Sequence, residues 1–232
     1  MLLDTGDALV GGAPLGDLTQ GEVVVAGMNL MGYQAMALGP KELGLGLDVL
    51  QQRQDEAQFP FLSANAVSSA TGELLVAPYT ILEVGAYRVG ILGLTRPMKA
   101  PPDGVQVLEP QAALERYVPA LAEQAQVIVV LTNVGYRQAL SLVQAVPGVD
   151  LLVAALPDQL PEQATRAPDT GTWAVTAEQP VARHTGRRVG HLVVTILSDG
   201  SLVDPSWVSL PLGAQFVDDP EMTELLQGFP KP

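Results

Sequence analysis

Glu22-Val23-Val24-Val25-Ala26-Gly27-Met28-Asn29-Leu30-Met31-Gly32-Tyr33-Gln34-Ala35-Met36-Ala37-Leu38-Gly39 is the stretch whose reading decides the fold. Residues 22–31 read as a helix despite their β-branched run, because Gly32-Tyr33 supplies a stop and the short apolar run Ala35-Met36-Ala37-Leu38 follows as a strand. Upstream, Met1-Leu2-Leu3-Asp4-Thr5-Gly6-Asp7 reads as the end of a buried strand running into a loop, which closes one βαβ unit.

Moving outward, the alternation continues. Residues 43–57 are expected to form a second helix, with the polar run Gln51 to Glu56 on its exposed side, leading through Pro60 into a strand at 61–64. Two apolar runs meeting at Gly85-Ala86 make 79–84 and 87–94 an antiparallel pair. Glu109-Pro110 opens a helix to about residue 124, with proline in the first turn where its missing N–H costs nothing. An all-apolar strand at 127–131, a helix at 136–145 and an apolar strand at 149–155 follow. Continuous Val, Ile and Leu runs between helices indicate parallel strands covered on both faces. From Gly171 the pattern changes to antiparallel strands at 173–176, 181–184, 188–197 and 202–209, then a short helix at 221–227 capped by Asp218-Asp219-Pro220. The expected organisation is a single domain over 1–232: mainly βαβ to 170, mainly antiparallel over 171–217, and a terminal helix at 218–228. Residues 157–171, rich in Pro, Gln and Thr, read as the mobile loop.

Composition limits the function. The 232 residues carry 12 Lys plus Arg against 25 Asp plus Glu, a net charge of −13, so a nucleic-acid footprint is not expected. Apolar residues make up 47% and charged residues 16%, enough burial to offset chain entropy. The absence of Cys removes disulfides, thiolate metal sites and cysteine nucleophiles together. No apolar run reaches the roughly 20 residues of a membrane span, and a soluble chain is expected. Gly11-Gly12 and Gly44-Leu45-Gly46 lack the following Lys-Ser or Lys-Thr of a phosphate loop, and the serines lack a nucleophile-elbow context.

The order of the pieces is specific. Gly6-Asp7, then Met28 to Gly39, then Phe59-Pro60-Phe61-Leu62-Ser63-Ala64-Asn65 together resemble the calcineurin-like metallophosphoesterase domain of the 5′-nucleotidase/UDP-sugar hydrolase family. The likeness continues through Val89-Gly90-Ile91-Leu92-Gly93-Leu94, Pro147 to Leu152, Gly186 to Leu192 and Asp218 to Gln227. It implies a four-layer α/β sandwich, two mixed sheets flanked by helices, with metals held at loops following the strands. The family's first strand, which carries an Asp-x-His motif, would lie before Met1. That strand is expected either upstream or replaced at the open edge by a protein partner or a second copy.

In that family two divalent cations clamp the phosphate and activate a water. The resemblance puts Asp7 at the metal-bridging position. Gly39-Pro40-Lys41-Glu42 takes the place of a Gly-Asn-His-Glu loop, so Pro40 stands for an Asn ligand and Lys41 for the catalytic His. Neither can play the role, since proline has no side-chain donor atom and an ammonium has no lone pair. Leu131-Thr132-Asn133-Val134-Gly135 replaces a His ligand by Asn133. Ala154-Ala155-Leu156-Pro157-Asp158 replaces one by Leu156 and leaves Asp158 as the other candidate. Should a divalent metal (Mn, Zn or Fe) bind, Asp7, Asn133 and Asp158 are the expected ligands; otherwise no cofactor is expected.

Blander readings stand beside these. Asp7 can serve an Asx turn. Glu42 next to Lys41 reads as an exposed charge at a helix start, with a surviving acid that supports the site residues from behind as the sharper alternative; His191 reads as solvent-facing in an alternating strand, and Arg187-Arg188 as a spot paired with local carboxylates. Neither His184 nor His191 falls at a family ligand position. The expected function is therefore a pseudoenzyme, structural or partner-binding. The alternative is a divergent metal-dependent phosphohydrolase completed by residues outside this chain, and a third reading is a small-anion binder using Lys41. Members of the resembled family are commonly exported, which points to an extracytoplasmic location. Finally, a carboxylate left at Asp7 without metals needs a counter-charge, so Lys41 is expected as the metal's surrogate in an Asp7–Lys41 ion pair, joined by Asn133.

Overall fold

In a computed structural model, which describes residues 1–155, 163–177 and 188–230, the chain begins with β1 (Leu3–Asp4), α1 (Pro14–Leu18), α2 (Glu22–Met31) and β2 (Ala35–Ala37). α3 (Pro40–Leu43), α4 (Leu47–Glu56), β3 (Phe61–Leu62), β4 (Ala66–Ser68), β5 (Tyr79–Val84), β6 (Tyr87–Leu94) and β7 (Val105–Val107) follow. The second half holds α5 (Pro110–Ala122), β8 (Val127–Thr132), α6 (Tyr136–Ala145), β9 (Leu151–Ala154), β10 (Thr165–Arg166), β11 (Trp173–Thr176), β12 (Arg188–Ile196), β13 (Leu202–Pro211) and α7 (Pro220–Gln227).

Alternation along β2 builds the layers. Met36, with its neighbour Leu38, packs with Val25 and Met28 of α2, Leu43 of α3 and Leu50 of α4. Ala35 and Ala37 face Ile91 of β6 and Val129 and Leu131 of β8. Small alanines on that side let one sheet close on the other. The first sheet is parallel in the order β1-β2-β3, and the second runs β10-β11-β9-β8-β6-β5. Within the second, β6, β8, β9 and β11 are parallel and the two edge strands antiparallel. Its other face is covered by α5 and α6 through Leu114, Val118, Leu121, Ala139 and Val143. The antiparallel pair β12-β13 covers the same face of the six-stranded sheet as β1-β2-β3 does, through Leu192, Leu202 and Trp207. The four layers are thus helices, the six-stranded sheet, a layer holding the three-stranded sheet and the β12-β13 pair, and helices.

The expected helix at 43–57 breaks at Gly44-Leu45-Gly46, because Gly46 adopts φ 86°, outside the helical region; α3 and α4 lie on either side. The short α1 and the antiparallel pair β4-β7 carry too few residues to show a period and were not anticipated. β10 falls inside the segment read as a loop. The register shift between Val193 and Thr195 lies opposite Asp204, at φ 52°, and Pro205, a bulge that accommodates a residue with no N–H to give. The expected strand at 181–184, with His184, lies outside the described residues. Asp219 caps α7 as read, accepting a hydrogen bond from the Met222 N–H at 3.0 Å.

Candidate functional site

The strand ends of β1, β2, β3, β6 and β8 come together, and the loops leaving them are tied by buried polar side chains. Glu42 is the centre of the first tie. It is fully buried, against the expectation of an exposed charge. Its Oε2 accepts the N–H of Asp7 at 2.8 Å and of Gly39 at 2.8 Å, and its Oε1 accepts the N–H of Leu9 at 3.0 Å. One carboxyl thus satisfies three backbone donors that would otherwise be orphaned where the loop after β1 meets the start of α3. Burial raises the Glu42 pKa, and the Asp7 charge adds to this while the three N–H groups oppose it.

Asn133 is the second tie. Its Oδ1 accepts the Arg96 N–H at 2.7 Å, and its Nδ2 donates to the carbonyls of Thr5 at 3.1 Å and Leu38 at 2.7 Å. Fully buried, it staples β1, β2 and β6 to β8. Asn65 repeats the device. Its Oδ1 accepts from the Thr95 N–H at 2.8 Å, and its Nδ2 donates to the Thr95 and Leu108 carbonyls at 2.8 and 2.9 Å. The Thr95 hydroxyl bonds Ser63 Oγ and donates to the Leu38 carbonyl, and the Thr132 hydroxyl donates to that of Leu94.

Asp7 sits at φ 62°, a left-handed conformation that is uncommon for a non-glycine residue. Its Oδ1 accepts the backbone N–H of Lys41 at 2.9 Å, and its Oδ2 lies 3.5 Å from the Arg96 guanidinium. The expected surrogate pair is therefore corrected on both sides: the cation at Asp7 is Arg96, and Lys41 contributes its main chain. The cause is local geometry. The N–H of a residue in the first helical turn points along the axis, here at Asp7, so its side chain radiates sideways, and the Lys41 stem lies over Gly11. Asn133 does not join Asp7 either, since its amide is spent on Thr5, Leu38 and Arg96. The Asx-type contact belongs to Asp4, whose Oδ1 accepts the Gly6 N–H at 2.7 Å.

Asp4 itself carries a strong perturbation. Burial pushes its carboxyl up to about 7, the Gly6 N–H opposes this, and the charges of Glu42 and Asp7 add to it. Burial, with the Asp4 charge, pushes the Tyr33 hydroxyl up to about 12. Pro40 occupies the first position of α3, where it needs no donor. Leu156, Pro157 and Asp158 lie outside the described residues. His191 on β12 is exposed, as read. The Arg188 guanidinium donates to Ser209 Oγ and to the Ser209 carbonyl across the β12-β13 pair.

The resemblance implies two divalent cations, and the donor chemistry does not fit them. Asp7 is bracketed by an N–H and a guanidinium, the Glu42 and Asn133 donors are engaged, Pro40 has none and Lys41 is itself a cation. No group of three or more His, Asp or Glu side chains able to hold a metal ion occurs among the described residues. Arg96, Asn65 and Asp4 are the site residues that sequence reasoning gave no such role, and Glu42 takes the supporting role rather than the exposed one. Asn65, standing just after the strand at 61–64, was the one offering a signal.

No protein-family model matches the chain. A Thermus thermophilus structure described as the sulfate thiohydrolase SoxB superposes on 98% of this chain and 42% of its own, with a TM-score of 0.84 and 25% identity. The calcineurin-like phosphoesterase YfkN of Bacillus subtilis superposes on 98% of this chain and 82% of its own, with a TM-score of 0.76 and 22% identity. The fold is that of the calcineurin-like metallophosphoesterases. In sequence, a 5′-nucleotidase of Vibrio cholerae is 33% identical over 146 residues, 60% of this chain and 26% of that protein. This metallophosphoesterase domain is thus 5′-nucleotidase-like, and it spans about a quarter of the length of the curated relatives it matches first. Among the described residues no helix is long and apolar enough to cross a membrane.

Proposed function

We propose that this metallophosphoesterase-like domain has lost dinuclear-metal phosphoester hydrolysis and serves as a structural or partner-binding domain. The observation carrying the reading is the commitment of Asn133: its amide is hydrogen-bonded at both ends to the main chain of the three segments just beyond β1, β2 and β6, leaving it a staple rather than a ligand. Pro40 and Lys41 at the neighbouring loop support it by their chemistry. A partner-binding role is supported by β1, which pairs only with β2 among the described strands and so offers a free edge to an added strand.

The test is turnover of bis(p-nitrophenyl) phosphate and of a nucleoside monophosphate by the purified chain, with manganese, zinc or iron supplied. No turnover above buffer is expected. Metal-dependent turnover that Asp7→Asn removes would establish the second reading, a divergent phosphohydrolase using Mn, Zn or Fe. That reading is favoured by the 33% identity to a 5′-nucleotidase and by the retained Asp7.

A further inference from the structure

We infer that β5 is a self-association edge, through which two copies of the chain pair antiparallel about a two-fold axis and continue the six-stranded sheet from one copy into the other. Neither the strand-end loops nor the edge at β1 enters into it. β5 pairs with β6 alone, so one row of its main-chain groups faces away from the sheet. Which residues own that row follows from Arg88, which stands opposite Glu83. Arg88 donates its N–H to Gln126 Oε1 at 2.8 Å, and its carbonyl accepts the Gln126 N–H at 2.9 Å, both away from β5. Glu83 and Arg88 therefore exchange no hydrogen bonds, and by alternation the N–H and C=O of Tyr79, Ile81 and Glu83 point outward. The Gly93 N–H, which donates to the Pro78 carbonyl at 3.2 Å, keeps the same phase. Among the described residues no hydrogen bond reaches those outward groups.

Other sheet edges are blunted. β1, β3 and β10 have two residues each, and the β12-β13 pair is interrupted by its register shift and by Pro205. β5 has six residues in unbroken register, without Pro, Lys or Arg, and so carries none of the usual guards against strand addition except the single charge of Glu83. Its side chains decide the occupant. Tyr79 and Ile81 pack into the core beneath α5 and α6, and Leu82 and Val84 into the core shared with β12-β13. A strand laid beside β5 must likewise be apolar on both faces, and β5 of a second copy is. With the axis at Ile81, that residue meets Ile81 of the second copy, Tyr79 meets Glu83, and Thr80 meets Leu82. Outward residues then face outward residues, each such pair exchanging two main-chain hydrogen bonds, and opposed residues share a face, so both apolar layers run on across the axis. Glu83 lies opposite a tyrosine rather than its own copy, which suits the approach of two chains of net charge −13.

Analytical ultracentrifugation of the chain over about a hundredfold range of concentration tests this. A monomer–dimer equilibrium is expected, tightened by added salt because the two chains repel. Glu83→Pro removes an outward N–H without touching a bond to β6, and should weaken the dimer about thirtyfold, the loss of two hydrogen bonds across the axis, whereas Glu83→Thr should leave it intact. A thermal melt of the Glu83→Pro variant within a few degrees of the parent shows that lost pairing is not lost folding. The chain has no Cys, so Ile81→Cys supplies a second readout: the two thiols meet at the axis, where Cα atoms about 5.5 Å apart allow a disulfide, and mild oxidation should link the dimer covalently. A monomer at every concentration overturns the inference. So does a dimer indifferent to Glu83→Pro, or one linked through Val193→Cys on the exposed face of β12 and not through Ile81→Cys.

Discussion

The six-stranded sheet and the junction at its carboxyl edge are held by opposite means. In the sheet, β8 is buried along its whole length, with Ile128 and Val130 against α5 and α6 and Val129 and Leu131 against the alanines of β2. That stability comes from non-directional apolar contact, which tolerates substitution of like volume. At the junction, Glu42, Asn133 and Asn65 between them satisfy nine hydrogen bonds to the main chain of separate loops. Those bonds are directional, and nothing of similar volume replaces them. The difference separates two tasks: apolar contact builds the framework of the fold, whereas buried polar groups fix the loops at its strand-end edge to one another.

The comparison breaks most visibly at Glu42. Glu42→Ala should orphan three buried donors and cost about 5 kcal/mol, seen as a large fall in the denaturant midpoint or failure to fold. Leu131→Ala in the sheet should cost about 3 to 4 kcal/mol, by lost transfer energy and a cavity. If Glu42→Ala proves the milder of the two, the junction is not the more exacting region. Asn133→Ala should follow at about 3 kcal/mol, with Asn133→Asp no better because a carboxylate would face the carbonyl oxygens of Thr5 and Leu38.

Asp4 sharpens the comparison through pH. Its folded pKa of about 7 lies above the ordinary 3.8, so the folded state binds the proton more tightly than the unfolded one. Its contribution to stability is then fully present below pH ~4 and is lost as pH rises to ~7, a change of order a few kcal/mol. Asp4→Asn, which keeps an oxygen for the Gly6 N–H, should flatten that slope and leave the variant more stable than the parent at pH 8. Chemical denaturation across pH 4 to 8 reads it, and parallel slopes for the two proteins would contradict the assignment. The smallest effect belongs to Lys41: Lys41→Ala should change stability by less than ~0.5 kcal/mol, because its main-chain N–H, not its side chain, serves Asp7.

The apolar runs at 87–94, 127–131 and 149–155 and the helices between them were legible because burial on both faces leaves a continuous hydrophobic signature. The chemistry of Pro40 and Lys41 is equally plain from residue type, since neither side chain offers a lone pair to a metal at neutral pH. What the sequence did not disclose was partnership across long separations. Arg96 meets a carboxylate 89 positions earlier, Glu42 turns inward to the loop after β1, and Asn133 spans 128 residues to Thr5. No periodicity encodes such contacts. The need of Asp7 for a counter-charge points equally to any nearby cation, and only the direction of the Lys41 N–H shows why its side chain goes elsewhere.

Calorimetric titration of the metal-stripped chain with manganese tests the central claim most directly. The account predicts no saturable binding and an unchanged melting temperature. Saturation at about two equivalents, with a rise in melting temperature that Asp7→Asn abolishes, would contradict it.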